Sequence, residues 1–224
     1  MILNIKNILL IIILIFRNYS LLRILQIIEV KKIDIKGRCV EFGAYEDLKK
    51  NFIYWIKNKK IKIYLTNLKK KKKIIYSDLK KRINFKSNFF DNILIFNVLE
   101  HINKNDVAFK ELKRILKKNG KVIGSTPFIY QVHGAPEDYF RFTKTFFEKK
   151  LSDSGFEIEM IKCLGQGPFV ASSSLIYSYT RYIPFLSHFV LLFCSILDLT
   201  IQIFVKTKLS ELYPVGILFI AKKK

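Results

Sequence analysis

The chain has 224 residues, half of them hydrophobic and 14% aromatic, enough for one good core and excluding an extended disordered tail. Lys and Arg number 40 against 18 Asp and Glu, a formal net charge of +22 that must attract polyanions at low salt. Cys39, Cys163 and Cys194 show no paired spacing, which argues against a disulfide framework and for small buried hydrophobes in a reducing compartment.

The basic residues are spread along the chain beside over-used Ile, Asn and Phe. A compositional bias at solvated positions is therefore preferred to a dedicated nucleic-acid face. From Ile8 to Phe16 the chain is unbrokenly apolar between Lys6 and Arg17. As a helix this run is roughly 14 Å long, too short for a hydrocarbon core of about 30 Å. It lacks a small-residue cleavage site, because Arg17-Asn18-Tyr19 follows. An interfacial or docking helix is expected, continuing through Leu21, Leu25 and Ile28, with its own domain or a membrane as the surface it covers.

After Gly37 the pattern turns α/β. Residues 39–43 read as a buried strand ending in a Gly turn, 47–58 as a helix with Leu48, Phe52, Trp55 and Ile56 on one face, and 61–65 as a second strand. Lys69–Lys73 is expected to be a wet turn. A third strand at 74–76 ends at Ser77-Asp78. Residues 92–96 form a fourth, leading through Asn97-Val98-Leu99-Glu100-His101 into a helix expected to run to Lys118 and stop at Gly120. Lys121–Ser125 is the fifth strand, followed by a polar loop carrying His133, Asp138, Tyr139 and Arg141. A helix over 143–154, a Gly155 cap, a strand over 156–162 and a last strand over 217–221 complete the pattern. Strands alternating with helices imply a mainly parallel sheet covered on both faces, with ligands at the carboxyl ends of the strands.

Residues 164–216 exceed what such a fold needs. The first part, through Ser172-Ser173-Ser174, reads as loop. The second, 185–205, is an apolar helix on which Ser195, Asp198 and Gln202 form a narrow polar stripe. Its Asp and the Pro184 at its entrance argue against a span. A cover over the site or a helix lying in a membrane surface are both open.

Three stretches, FFDNILIFNVLEHI, ELKRILKKNGKVIGSTPF and HGAPEDYFRFT, resemble the class I S-adenosylmethionine-dependent methyltransferases, especially a bacterial subgroup associated with glycan and lipid tailoring. The resemblance implies a Rossmann-like fold, a mostly parallel seven-stranded sheet with an antiparallel last strand. It divides the chain into an apolar helical segment (1–36), a methyltransferase core (37–163 with 217–224) and a helical insertion (164–216). It implies S-adenosylmethionine as donor and no metal. In Glu41-Phe42-Gly43-Ala44-Tyr45, Glu41 and Gly43 match the acidic-x-Gly turn, while Tyr45 replaces a second Gly and is expected to present its N–H to the donor. Asn67 stands where the family has a ribose-binding carboxylate. Asp78, beside Leu79, matches the adenine-binding acid, with a turn or cap role as the alternative. Asn97 and Val98 are expected at the methionine end.

Methyl transfer is an in-line displacement at carbon, so holding the reactants close and oriented supplies much of the rate. A base is needed when the acceptor must lose a proton. His133 is the candidate base for an oxygen acceptor. Tyr139 and Arg141 are candidates at the acceptor mouth, with loop anchoring and an Arg141–Asp138 ion pair as the alternative. His101 is expected to order the turn after the fourth strand. By resemblance the acceptor is a small molecule, a glycan or a lipid, and an anionic membrane surface is a candidate partner ahead of nucleic acid. The expected location is the cytoplasm, at the inner membrane face if the apolar segments touch lipid. A fold that has lost activity, motivated by Tyr45 and Asn67, is the rival reading.

Overall fold

A computed structural model describes residues 5–57, 60–134, 136–180, 182–183 and 185–224. Asn58, which ends the helix expected over 47–58, and Pro184 lie outside them. The chain divides into two compact units.

The first unit takes in Val30–Thr126, Val132–Lys162 and Leu218–Lys224. Its strands are β1 (Gly37–Phe42), β2 (Ile61–Asn67), β3 (Ile75–Tyr76), β4 (Phe90–Phe96), β5 (Leu116–Pro127), β6 (Phe156–Leu164) and β7 (Gly216–Lys223). They form one sheet in the order β3-β2-β1-β4-β5-β7-β6. β1 to β5 pair in parallel, and the C-terminal strands are antiparallel, as expected. Phe90 is fully buried, as are Ile93, Leu94 and Ile95, a continuous apolar run of the kind that a sheet covered on both faces requires. Chain order reverses between β1 and β4, which makes that crevice the topological switch point.

Two expectations need correction here. Residues 47–58 contain no α-helix among the described residues but two 3-10 turns, Leu48–Lys50 and Phe52–Trp55. Asn51 is extended between them, and its side chain bonds Tyr45 on both backbone groups (2.7 Å each). The aromatic and β-branched run that follows has little helix propensity to resist this. The helix after β4, Asn105–Ile115, ends at Ile115 rather than Lys118. Leu116 is already strand, paired with Phe90, and Asn119 turns left-handed before the regular register resumes at Lys121. The last helix of the unit, Lys144–Asp153, begins at a Thr143 hydroxyl that accepts from the Phe146 N–H and ends at left-handed Gly155, as expected.

The second unit comprises Met1–Glu29, Pro127–Gln131 and Cys163–Ile217. Numbering all helices in chain order, it holds α1 (Ile5–Phe16), α2 (Leu21–Val30), α5 (Pro168–Thr180), α6 (Leu186–Phe204) and α7 (Leu209–Leu212), while the sheet unit holds α3 (Asn105–Ile115) and α4 (Lys144–Asp153). The stretch expected as loop through Ser174 is thus mostly helical. Ser172, Ser173 and Ser174 stay in helix by turning their hydroxyls back onto the carbonyls of Pro168, Val170 and Ala171. Lys69–Lys73 is exposed, as expected of a wet turn.

Candidate active site

Four loops meet at the carboxyl ends of β1, β2, β3 and β4. Gly43 follows β1 at φ +73°, and a Cβ there would lie 2.6 Å from the Val98 Cγ2. Only glycine provides both the backbone conformation and the room. That contact joins the tips of β1 and β4 at the switch point. Asn97 is held left-handed (φ 53°), with its N–H donating to the Ser125 carbonyl at the end of β5.

Four expected donor residues make bonds within the protein itself. Glu41 is buried, and its two carboxylate oxygens accept the Phe52 and Ile53 N–H groups at 2.8 and 2.9 Å. It caps a 3-10 turn and shapes the loop. The Tyr45 N–H donates to Asn51 Oδ1 instead of facing a ligand, which corrects the role expected of it. The Tyr45 side chain is exposed. Asn67 donates its amide N–H to the Ala44 carbonyl (2.9 Å), leaving the Oδ1 side as its acceptor. Asp78 Oδ1 accepts the Lys80 N–H in a tight turn (2.9 Å), the alternative role foreseen for it. Leu79 is buried and contributes apolar wall.

The loops after β4 and β5 are stapled together. The Tyr139 N–H donates to the Glu100 carbonyl at 2.9 Å, and the His101 Nδ1 bonds the Glu137 carbonyl. Burial holds the His101 imidazole below its ordinary pKa. Beside it, His133 Nδ1 lies 3.3 Å from Asp138 Oδ2, which also accepts the His133 backbone N–H. Asp138 in turn is gripped by Arg141 through both oxygens, at 2.5 and 2.7 Å. The Arg141 hydrogen bonds hold the Asp138 carboxyl far below its usual range, so it stays an anion. A carboxylate beside the imidazole Nδ1 is the arrangement of a base with its orienter. Arg141 therefore sits in the ion pair with Asp138, one of the two roles considered for it. The exposed Tyr139 hydroxyl donates to Glu137, a bond that raises the phenol pKa.

Sequence reasoning missed two residues. Asn51 fixes the loop after β1. Glu100 is fully buried, and neither carboxylate oxygen has a hydrogen-bond partner. Burial raises its pKa to about 8, so it is mostly protonated at neutral pH. Glu100, His101 and His133 bring possible ligand atoms within 4.8 Å of one another. A divalent ion there would first have to displace the Glu100 proton. The Ser77 and Thr126 hydroxyls are likewise buried without partners, at the ends of β3 and β5. Unpaired buried polar atoms at several strand tips mark a place prepared for polar contacts.

Residues 47–124 match the family described as the methyltransferase domain. Among curated relatives, an uncharacterized protein of Methanocaldococcus jannaschii is 38% identical over 156 residues. That match takes in 66% of this chain and 63% of the relative, so the chain spans less than two thirds of the relative's length. Among solved structures, the cyclase SpnF superposes with a TM-score of 0.56 at 12% identity, over 90% of this chain and 80% of that one. Phosphoethanolamine N-methyltransferase 2 of Haemonchus contortus, solved with S-adenosyl-L-methionine, gives 0.52 at 16% identity, over 88% of this chain and 52% of its own. At such identities the structures establish the fold alone, and the chemistry must be argued from the site.

Proposed function

We propose that the chain transfers a methyl group from S-adenosylmethionine to a hydroxyl of a small-molecule, sugar or lipid-linked acceptor. The observation that carries this is the Gly43–Val98 junction at the switch point, with Asn67 and Asp78 on the neighbouring strand tips. The residues fit the donor: Asp78, whose Oδ1 accepts the Lys80 N–H, would turn Oδ2 to the adenine amine, and Asn67, whose amide N–H donates to Ala44, would accept from the ribose on Oδ1. When bound, the donor supplies a methyl on a sulfonium, a leaving group that departs as a neutral thioether.

The chain's own groups do the rest. Asn97 and Val98 would hold the methionine end, with the Asn97 N–H tied to the Ser125 carbonyl at the end of β5. His133, oriented by Asp138, takes the acceptor proton at Nε2 as the acceptor oxygen bonds to the methyl carbon. Protonated Glu100 is a neutral buried donor next to that pair and adds no charge to oppose imidazolium formation. Titration calorimetry with S-adenosylmethionine tests the reading, followed by radiolabelled methyl transfer to a lipid and glycan extract. Absence of heat and of thermal shift at millimolar donor would refute it. The second reading, a methyltransferase fold kept as a binding scaffold, is favoured by the Tyr45 N–H and the Asn67 amide being engaged internally, and that same null titration would select it.

A further inference from the structure

Helix α6 is inside out. Its buried positions are Ser187, Leu191, Ser195 and Asp198, one face of which three residues are polar. Its exposed positions are Phe189, Leu192, Phe193, Ile196, Thr200, Ile203 and Phe204, all but one apolar. A helix covering the core of a protein in water has the reverse arrangement. Phe189 is 75% exposed and Phe204 82%, and only 17% of the helix's apolar window is buried, so this is no core helix.

The polar face is inward for a reason. Asp198 accepts the N–H groups of Phe169 and Val170, at 3.0 and 2.9 Å, and so caps the start of α5. Gly167 admits it, since a Cβ there would lie 2.6 Å from the carboxylate. The Ser195 carbonyl accepts from the Gln166 amide (2.6 Å), and Gln202 bonds the Val205 and Thr207 carbonyls and the Leu209 N–H. The outward face is left almost wholly apolar, and Phe185 extends it to Phe16 of α1, ring centroids 5.6 Å apart.

We propose that this face seats the chain in the surface of an anionic lipid bilayer, with α6 lying in the membrane plane. Exposed Arg17 adjoins the aromatic end and exposed Lys206 and Lys208 follow the other, where both reach headgroup phosphates. A net charge of +22 favours such a surface and opposes pairing with a second copy. A spanning α6 is disfavoured by its middle. Ser195 and Asp198 hold the non-helical 165–167 segment and the first N–H groups of α5, which a span would carry into hydrocarbon.

The test is sedimentation of the full chain with phosphatidylcholine vesicles, with and without phosphatidylglycerol, read without any methyl donor so that it stands apart from the methyl-transfer reading. Wild type should pellet with the anionic vesicles at physiological salt and be released by alkaline carbonate. Phe189→Ser with Phe193→Ser should weaken partition about ten-fold per ring while the melting temperature holds, since both rings are mainly exposed. Lys206→Gln with Lys208→Gln should weaken binding to anionic vesicles only. Four results would overturn the proposal: wild type remaining in the supernatant, the double Phe variant binding as tightly as wild type, retention through the carbonate wash, or a concentration-dependent dimer in place of vesicle binding.

Discussion

Glu100→Gln should stabilise the sheet unit at alkaline pH and do little at acid pH. The Glu100 carboxyl titrates near 8 in the fold, against 4.5 for its ordinary value, because burial penalises the anion. Below pH 4.5 both folded and unfolded chains hold the proton, and the group has no effect on stability. As pH rises toward 8 the unfolded chain releases it and the folded chain does not, so stability falls throughout that window and the full penalty stands above pH 8. At about 1.4 kcal/mol per pH unit, the loss between pH 5 and pH 8 is about 3.5 kcal/mol. Gln has the shape of the protonated acid and does not titrate. The variant and wild type should therefore unfold nearly alike in urea at pH 5 and diverge by about 3.5 kcal/mol more at pH 8. The single tryptophan, Trp55, belongs to the same unit and reports its unfolding by fluorescence. Parallel pH profiles for the two proteins would refute the buried carboxyl whose oxygens lack hydrogen-bond partners.

The remaining predictions address the site and the helical unit. His133→Ala should cut turnover by about 10²–10⁴-fold with donor affinity by calorimetry near wild type, and unchanged turnover would remove it as the base. Asp138→Asn should lower turnover with little change in acceptor KM, because it loosens the imidazole rather than the pocket. Gly43→Ala should cost about 1–3 kcal/mol in thermal denaturation through positive φ and the Val98 clash, and a second change, Val98→Ala, should restore only the clash part. Asp198→Ala, which strips the cap from α5, should cost about 1–3 kcal/mol, whereas Thr200→Ala on the exposed face should fall within about 0.5 kcal/mol of wild type.

The sheet was legible where apolar residues cluster. Ile93 to Phe96 and the strand after Gly120 read as buried strands, and the polar loops after them share one end of the sheet. The segment after β1 was not legible, because its conformation is set by partners distant in sequence. Phe52 and Ile53 point their N–H groups at Glu41, and Asn51 closes on Tyr45, so a pattern with helical spacing of Leu48, Phe52 and Trp55 became two 3-10 turns. The acidic residue before Gly43 was visible, but that it caps a turn depends on where the chain returns. Glu100 was visible too, within the Leu99-Glu100-His101 string; its burial follows from the β5 loop lying across it through Tyr139 and His101.

The polar stripe of α6 shows most clearly what periodicity leaves out. Spacing of Ser195, Asp198 and Gln202 establishes that three polar groups share a face, and nothing in a period of 3.6 says which side of the helix meets water. The sign is decided by α5. Pro168 opens that helix, and the N–H groups of Phe169 and Val170 that follow have no partner within it. They need an acceptor, and Asp198 is the carboxylate that reaches them. Once it turns inward, its stripe goes with it, and Phe189, Leu192, Phe193 and Ile196 are driven outward by the same rotation. A hydrogen-bond requirement at one helix end thus leaves an apolar surface on another. A chain of this charge can satisfy that surface most simply against lipid.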